Sequence, residues 1–217
     1  MQPRIFYDST NSGAVTVTLP PRDAVVARER GETFKKFDQK GWQTTYRKGL
    51  MNTAKDPTKT ERIGAVGEQA FHILTGLSID VEVKSRGNKF DFLLRTDEKD
   101  LKIEIGTQNY QYYEALRLDR KGTHHYRKAR EKQSDPLKPL QADIYVFGLT
   151  DQFDGDIAQV MFEGWITVED FRKHCFVDKA LRGTHDNYYI HKSHLKDMLQ
   201  FLWQYRNFLD LSRTGLF

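Results

Sequence analysis

Two acids, Asp91 and Glu104, sit in neighbouring segments that alternate apolar and polar residues. Phe90, Phe92 and Leu94 alternate with Asp91 and Leu93; Leu101, Ile103 and Ile105 alternate with Lys102, Glu104 and Gly106. Period two predicts strands with one buried face. Thr96-Asp97-Glu98-Lys99 is the natural hairpin turn between them. If Arg95 pairs with Asp100, Leu93 faces Lys102, and Asp91 faces Glu104 on one side of the sheet. Cβ atoms so placed lie about 4.5–5.5 Å apart, and like charges there repel. A divalent cation removes the conflict. Hard cations take carboxylate oxygens, and Mg²⁺ uses one or two of them together with waters and phosphate. The expected chemistry is binding of Mg²⁺ or Mn²⁺ at Asp91 and Glu104.

A third carboxylate precedes the pair. Thr58-Lys59-Thr60-Glu61 fits a capping box, and Ile63, Val66, Ala70 and Leu74 recur at helical spacing until Gly76. Glu68 lies at about 140° from Ile63 around that helix, flanking the apolar stripe. Gly64 and Gly67 lie between it and the stripe. Helix-interior glycines cost about 1 kcal/mol each relative to alanine, so both are read as sites where backbone approaches the sheet closely.

In this arrangement residues 60 to 106, continuing to about 149, resemble the PD-(D/E)XK nuclease superfamily, the restriction-endonuclease-like fold. That family has a helix carrying a glutamate, then a strand with an aspartate, then a partner strand with Glu-x-Lys. Glu68 in Gly64-Ala65-Val66-Gly67-Glu68, Asp91 in Phe90-Asp91-Phe92, and Glu104-Ile105 match in that order. The resemblance implies a DNA phosphodiesterase in which Asp91 and Glu104 hold Mg²⁺, with Glu68 directly or through water. It departs at Gly106, where the family has lysine. Three explanations stand: a deliberate Lys-to-Gly change that traps an inactive form, substitution by Lys89 or Lys102 on the same face, or a naturally inactive nucleic-acid binder. Gln108 and Tyr112 fit a Gln-x-x-x-Tyr pattern found after the third motif in some relatives.

The rest of the chain must position these groups. Ala14–Leu19 reads as a strand, and about Arg22 to Gln39 as a helix. Ile79, Val81 and Val83 read as a strand. Residues 109 to 133 read as a helix, with strands at Ile144–Leu149 and Ile157–Phe162 beyond it. Thr167 and Asp170 cap a short helix, and Leu195–Leu209 reads as a terminal amphipathic helix. The expected architecture is an α/β three-layer sandwich with a mixed sheet flanked by helices. Residues 1–57 are read as an N-terminal extension packing on a core of 58–217, which carries a C-terminal helical cap.

The 217 residues hold 34 Lys+Arg against 30 Asp+Glu, a net charge of +4, too small alone to name a partner. Its distribution says more. Residues 115 to 140 carry eight basic side chains, among them Arg117, Arg120, Lys121, Arg127, Lys128 and Arg130, against three acids; residues 151 to 170 carry six acids and no Lys or Arg. Basic stretches with tyrosines between them suit DNA. The alternative is a non-catalytic nucleic-acid-binding or assembly protein on the same scaffold. A homodimer is the form relatives of this fold often take. One cysteine, Cys175, excludes an intrachain disulfide framework. His191-Lys-Ser-His194 is a weak zinc signal without paired cysteines. No apolar run reaches the ~18 residues of a membrane span, and the N-terminus lacks a signal-peptide core. The expected compartment is the reducing cytoplasm.

Overall fold

The computed structural model describes residues 3–7, 13–42, 59–79, 90–110, 113–114, 125–129, 140–150, 158–179, 186–212 and 214. The elements are β1 (Arg4–Tyr7), β2 (Val15–Leu19), α1 (Pro21–Trp42), α2 (Lys59–Thr75), β3 (Phe92–Arg95), β4 (Asp100–Asn109) and β5 (His125–Ala129). They continue with β6 (Ile144–Thr150), β7 (Ala158–Thr167), α3 (Val168–His174), β8 (Phe176–Lys179), β9 (Asp186–His191) and α4 (Met198–Gln204). Among the described residues two sheets form, one in the order β1-β2-β7-β6-β4-β3 and a smaller one in the order β5-β9-β8. Every pairing between described strands is antiparallel except β4 with β6. The class is α/β with a mixed sheet.

Alternation along β4 sorts its side chains between two cores. Leu101, Ile103 and Ile105 join Val66, Ala70, Phe71 and Leu74 of α2 and Phe201 and Leu202 of α4 on one face. The opposite face of β6, through Tyr145, Phe147 and Leu149, packs against Phe171 of α3 and against Tyr126, Tyr188 and Ile190 of the small sheet. Every residue of β6 is buried, which explains its unbroken apolar run. Gly76 ends α2 at φ 71°, a left-handed position that suits glycine. The expected cap of α3 forms, with Thr167 Oγ1 accepting from the Asp170 N–H at 3.2 Å.

Several elements differ from expectation. Within the stretch read as helix, His125–Ala129 is the strand β5, paired with β9. Tyr126 faces the second core, and pairing with a strand far along the chain overrides a local helical reading. The terminal helix is short because Lys196 exchanges backbone hydrogen bonds with Trp165, at 2.7 and 2.9 Å. Only after that does Asp197 cap α4, its Oδ1 accepting from the Leu199 N–H at 2.7 Å. Residues 1–57 supply two strands of the central sheet, with Val15 opposite Phe162 of β7. The strand read at Ile79–Val83 lies largely outside the described residues. Among the described residues, no helix is long and apolar enough to cross a membrane.

Candidate functional site

The hairpin has the expected register. Arg95 pairs with Asp100, Leu93 with Lys102 and Phe92 with Ile103. One step further the ladder slips: the Asp91 N–H donates to the Ile103 carbonyl at 2.8 Å, so Asp91 leaves the register that would set it opposite Glu104. The Asp91 carboxylate then takes the place of the next carbonyl of β3, its Oδ2 accepting from the Ile105 N–H at 2.7 Å. An unmet buried N–H there would cost about 1–3 kcal/mol, so Asp91 has a structural duty at the end of the ladder. Glu104 is half-buried on the Tyr145 side of the sheet. Burial first, then the Glu104 charge, push the Tyr145 hydroxyl above the ordinary tyrosine range.

Lys102 is exposed on the Glu104 face, its Nζ 5.6 Å from the centroid of the Phe90 ring. Its backbone is tied to Asp143: the Lys102 N–H donates to Asp143 Oδ2, and the Asp143 N–H to the Lys102 carbonyl, both at 2.8 Å. Gly106 pairs with Phe147 of β6. A Cβ at Gly106 would stand 2.9 and 3.0 Å from Phe147 Cδ1 and Cε1. The space a lysine stem would enter therefore holds an aromatic ring. Gln108 is buried beside Leu149, and neither end of its amide has a hydrogen-bond partner. Lys89, Arg117, Arg120, Lys121 and Arg130 lie outside the described residues, as does Tyr112. Arg127 and Lys128 belong to β5, which packs on the Glu104 side through Tyr126, but their side chains are likewise not described.

Glu68 does not join the pair. It stands on α2, which packs on the Ile103–Ile105 face, whereas Glu104 points to the other. It is ion-paired with Arg30 of α1, Nη2 to Oε2 at 2.9 Å, and the same Arg30 nitrogen donates to the Ala65 carbonyl at 2.8 Å. Burial pushes the Glu68 carboxyl above its ordinary range and the Arg30 charge opposes that shift. Among the described residues, no three His, Cys, Asp or Glu side chains form a group that could hold a metal ion. Asp91 and Glu104 still suit Mg²⁺, which needs only one or two carboxylates, whereas Glu68 does not fit as a direct ligand.

The two helix glycines separate in role. A Cβ at Gly67 would fall on the Thr107 hydroxyl of β4, so α2 crosses the sheet there at backbone contact. At Gly64 nothing lies within 4 Å, so close approach does not explain it.

Removing Arg30 exposes the ion pair to test. Arg30→Ala is expected to cost about 2 kcal/mol at neutral pH, below the ~3–5 kcal/mol of breaking a fully buried pair, because both side chains keep some exposure. With burial unopposed, the folded-state pKa of Glu68 rises further. Below about pH 4.3 the carboxyl is protonated folded and unfolded, and the charge-dependent part of the loss disappears. It grows as pH rises from the wild-type folded value of Glu68 to the higher one of the variant. Urea unfolding at acidic and neutral pH measures it, and an equal loss at both would count against an ionised Glu68.

The polar residues of the second core carried no sequence signal. Glu163 is the extra residue of a bulge opposite the Phe147–Gly148 step; it is buried and ion-paired with Lys192. Beside it the Tyr126 hydroxyl is pushed far above its ordinary range by burial, then by the Glu163 charge and Tyr113. Late in the chain His174 stacks on His194 at 4.2 Å between ring centroids, with His191 edge-on to His194 at 6.3 Å. Stacked imidazoles turn faces, not nitrogens, toward each other, which does not suit a shared zinc. Cys175 is partly buried, and burial raises its thiol pKa, as suits an unreactive side chain.

No protein-family model, curated protein or solved structure matches the chain.

Proposed function

We propose that this protein is a metal-dependent deoxyribonuclease of restriction-endonuclease-like fold. The single observation that carries the reading is that the open end of the β3–β4 hairpin brings the Asp91 carboxylate onto the Ile105 N–H, one residue from Glu104. The order of elements agrees with it: a helix, an acid-bearing hairpin, then a crossover to a parallel strand, β4 to β6. Asp91 and Glu104 would hold Mg²⁺ or Mn²⁺. When bound, such an ion polarises a phosphate and lowers the pKa of a coordinated water. Lys102, on the same face and two residues from Glu104, would offset charge on the phosphate. The basic residues between 115 and 140 would grip the backbone, giving affinity that falls steeply with salt.

A second reading, a non-catalytic nucleic-acid binder, is favoured by the Phe147 ring at Gly106 and the Arg30–Glu68 ion pair. Cleavage of single-stranded and duplex DNA in Mg²⁺ or Mn²⁺ separates the two. Under the first reading Glu104→Gln, which keeps shape and removes charge, lowers cleavage by about 100-fold, as expected for a lost electrostatic contact to the reacting groups. Metal-independent, salt-sensitive DNA binding without cleavage establishes the second.

A further inference from the structure

The Glu104 side of the large sheet is covered unevenly. The small sheet and α3 pack over Tyr145, Phe147 and Ile166. Beyond them a row of side chains crosses four strands on that face, from Phe6 to Thr16, Met161 and Leu149. Ile5 packs into the helix-side core, which turns its neighbours Arg4 and Phe6 to the opposite face. Over this row opens a cleft of about 180 Å³, lined by Thr16, Tyr110, Leu149, Gln159 and Met161. Tyr110 follows the last residue of β4 and is 45% exposed, and Phe6 is 53% exposed. The cleft lies where the parallel pair β4 and β6 ends, and open α/β sheets bind ligands outside the carboxyl ends of their strands.

Size and chemistry narrow the occupant. Pockets for drug-sized ligands run to ~300–1,000 Å³, so this one takes a single ring system. Tyr110 offers an aromatic face. The Gln159 amide, held by its Nε2–H donating to Thr18 Oγ1 at 3.1 Å, offers hydrogen-bonding groups on the floor. No acid is among the lining residues, and Arg4 is exposed on the same face. The larger cleft, about 380 Å³ at the opposite end of β4 and β6, is lined by Asp97, Glu98, Asp143 and Glu169 against Lys99, and would repel phosphate.

We propose that the Tyr110 cleft takes one unpaired base of a bound DNA strand, stacked on the Tyr110 ring, with Arg4 on a neighbouring phosphate. The inference rests on the nucleic-acid reading above and deepens it by naming single-stranded DNA as the ligand. Six residue steps of extended chain lead from Glu104 to Tyr110, roughly 20 Å at ~3.3 Å per residue. The held base therefore lies several nucleotides from a phosphate at Glu104, where it would fix the strand's direction and register.

Fluorescence anisotropy in EDTA tests the site, with a short labelled oligo(dT) and an abasic sugar–phosphate oligomer of equal length. Tyr110→Ala is expected to weaken oligo(dT) binding by about 10-fold, within the range of one lost base stack. Tyr110→Phe and Tyr110→Trp keep wild-type affinity. The abasic oligomer binds wild type and Tyr110→Ala alike. Unchanged oligo(dT) binding in Tyr110→Ala, or equal weakening by Tyr110→Phe, overturns the stacking site and leaves the nucleic-acid reading standing. Binding of duplex but not oligo(dT) by wild type also overturns this proposal alone, and binding of neither overturns both.

Discussion

Gly67→Ala is expected to destabilise the protein by at least 3 kcal/mol, the upper end of what overpacking costs. The added methyl has nowhere to go: it would fall on the Thr107 hydroxyl and stand 2.8 Å from the Thr107 Cβ. Thr107 Oγ1 is itself buried without a hydrogen-bond partner, so the contact is already dry and tight. Relief requires α2 to lift off β4, opening the core around Val66, Ala70 and Phe71. Thr107→Gly in the same chain should recover part of the loss. Gly64→Ala on the same helix should do the reverse, gaining up to about 1 kcal/mol of helix propensity because nothing lies near its Cβ. Urea unfolding of the three variants is decisive. Similar losses for the two alanines would mean that α2 does not sit on β4 as described.

Gly106→Lys should cost about 3 kcal/mol by the same mechanism. Its Cβ and stem would push into Phe147, which lies 5.2 Å from Tyr126 and 6.2 Å from Phe171 between ring centroids. A buried ring held between two others has no easy retreat. Phe147→Ala alone empties space in the second core and costs about 3–5 kcal/mol. Combined with Gly106→Lys it should cost less than the two losses added, because the lysine stem fills the vacated volume. Thermal unfolding of the four proteins gives the coupling. A Gly106→Lys protein as stable as wild type would remove the packing argument and restore a lysine as a natural occupant of that position. If the folded double variant cleaves DNA faster than the chain with glycine, the face is built for the nuclease motif.

The hairpin was legible because two period-two patterns flank a polar turn, and a one-residue slip would move every apolar side chain to the wrong face. The same logic made the pairing from Arg95–Asp100 to Phe92–Ile103 predictable, but not the slip at Asp91, whose N–H donates to Ile103 and whose carboxylate accepts from Ile105. Glu68 was not predictable either. Helical spacing places it beside the apolar stripe, but nothing local states which face of the sheet that stripe will meet, nor that Arg30 will arrive from another helix to neutralise it. The ring over Gly106 was equally hidden, since it depends on the parallel register of β4 with β6, set by a long crossover. β5 was missed because His-Tyr-Arg-Lys-Ala has a single core-facing aromatic in the described structure, and its partner strand comes only at Asp186–His191. Local caps such as Thr167–Asp170 needed no such distant information.

The pairing of Val15, Val17 and Leu19 with β7 has a consequence for biosynthesis. At roughly 5–20 residues per second, on the order of ten seconds pass between synthesis of β2 and of the strand that completes its sheet. Throughout that interval an alternating apolar strand is outside the ribosome with half its backbone groups unpaired, the form most prone to self-association. The first two strands therefore join the sheet late, and a nascent chain arrested before residue 158 presents a surface for chaperones to hold.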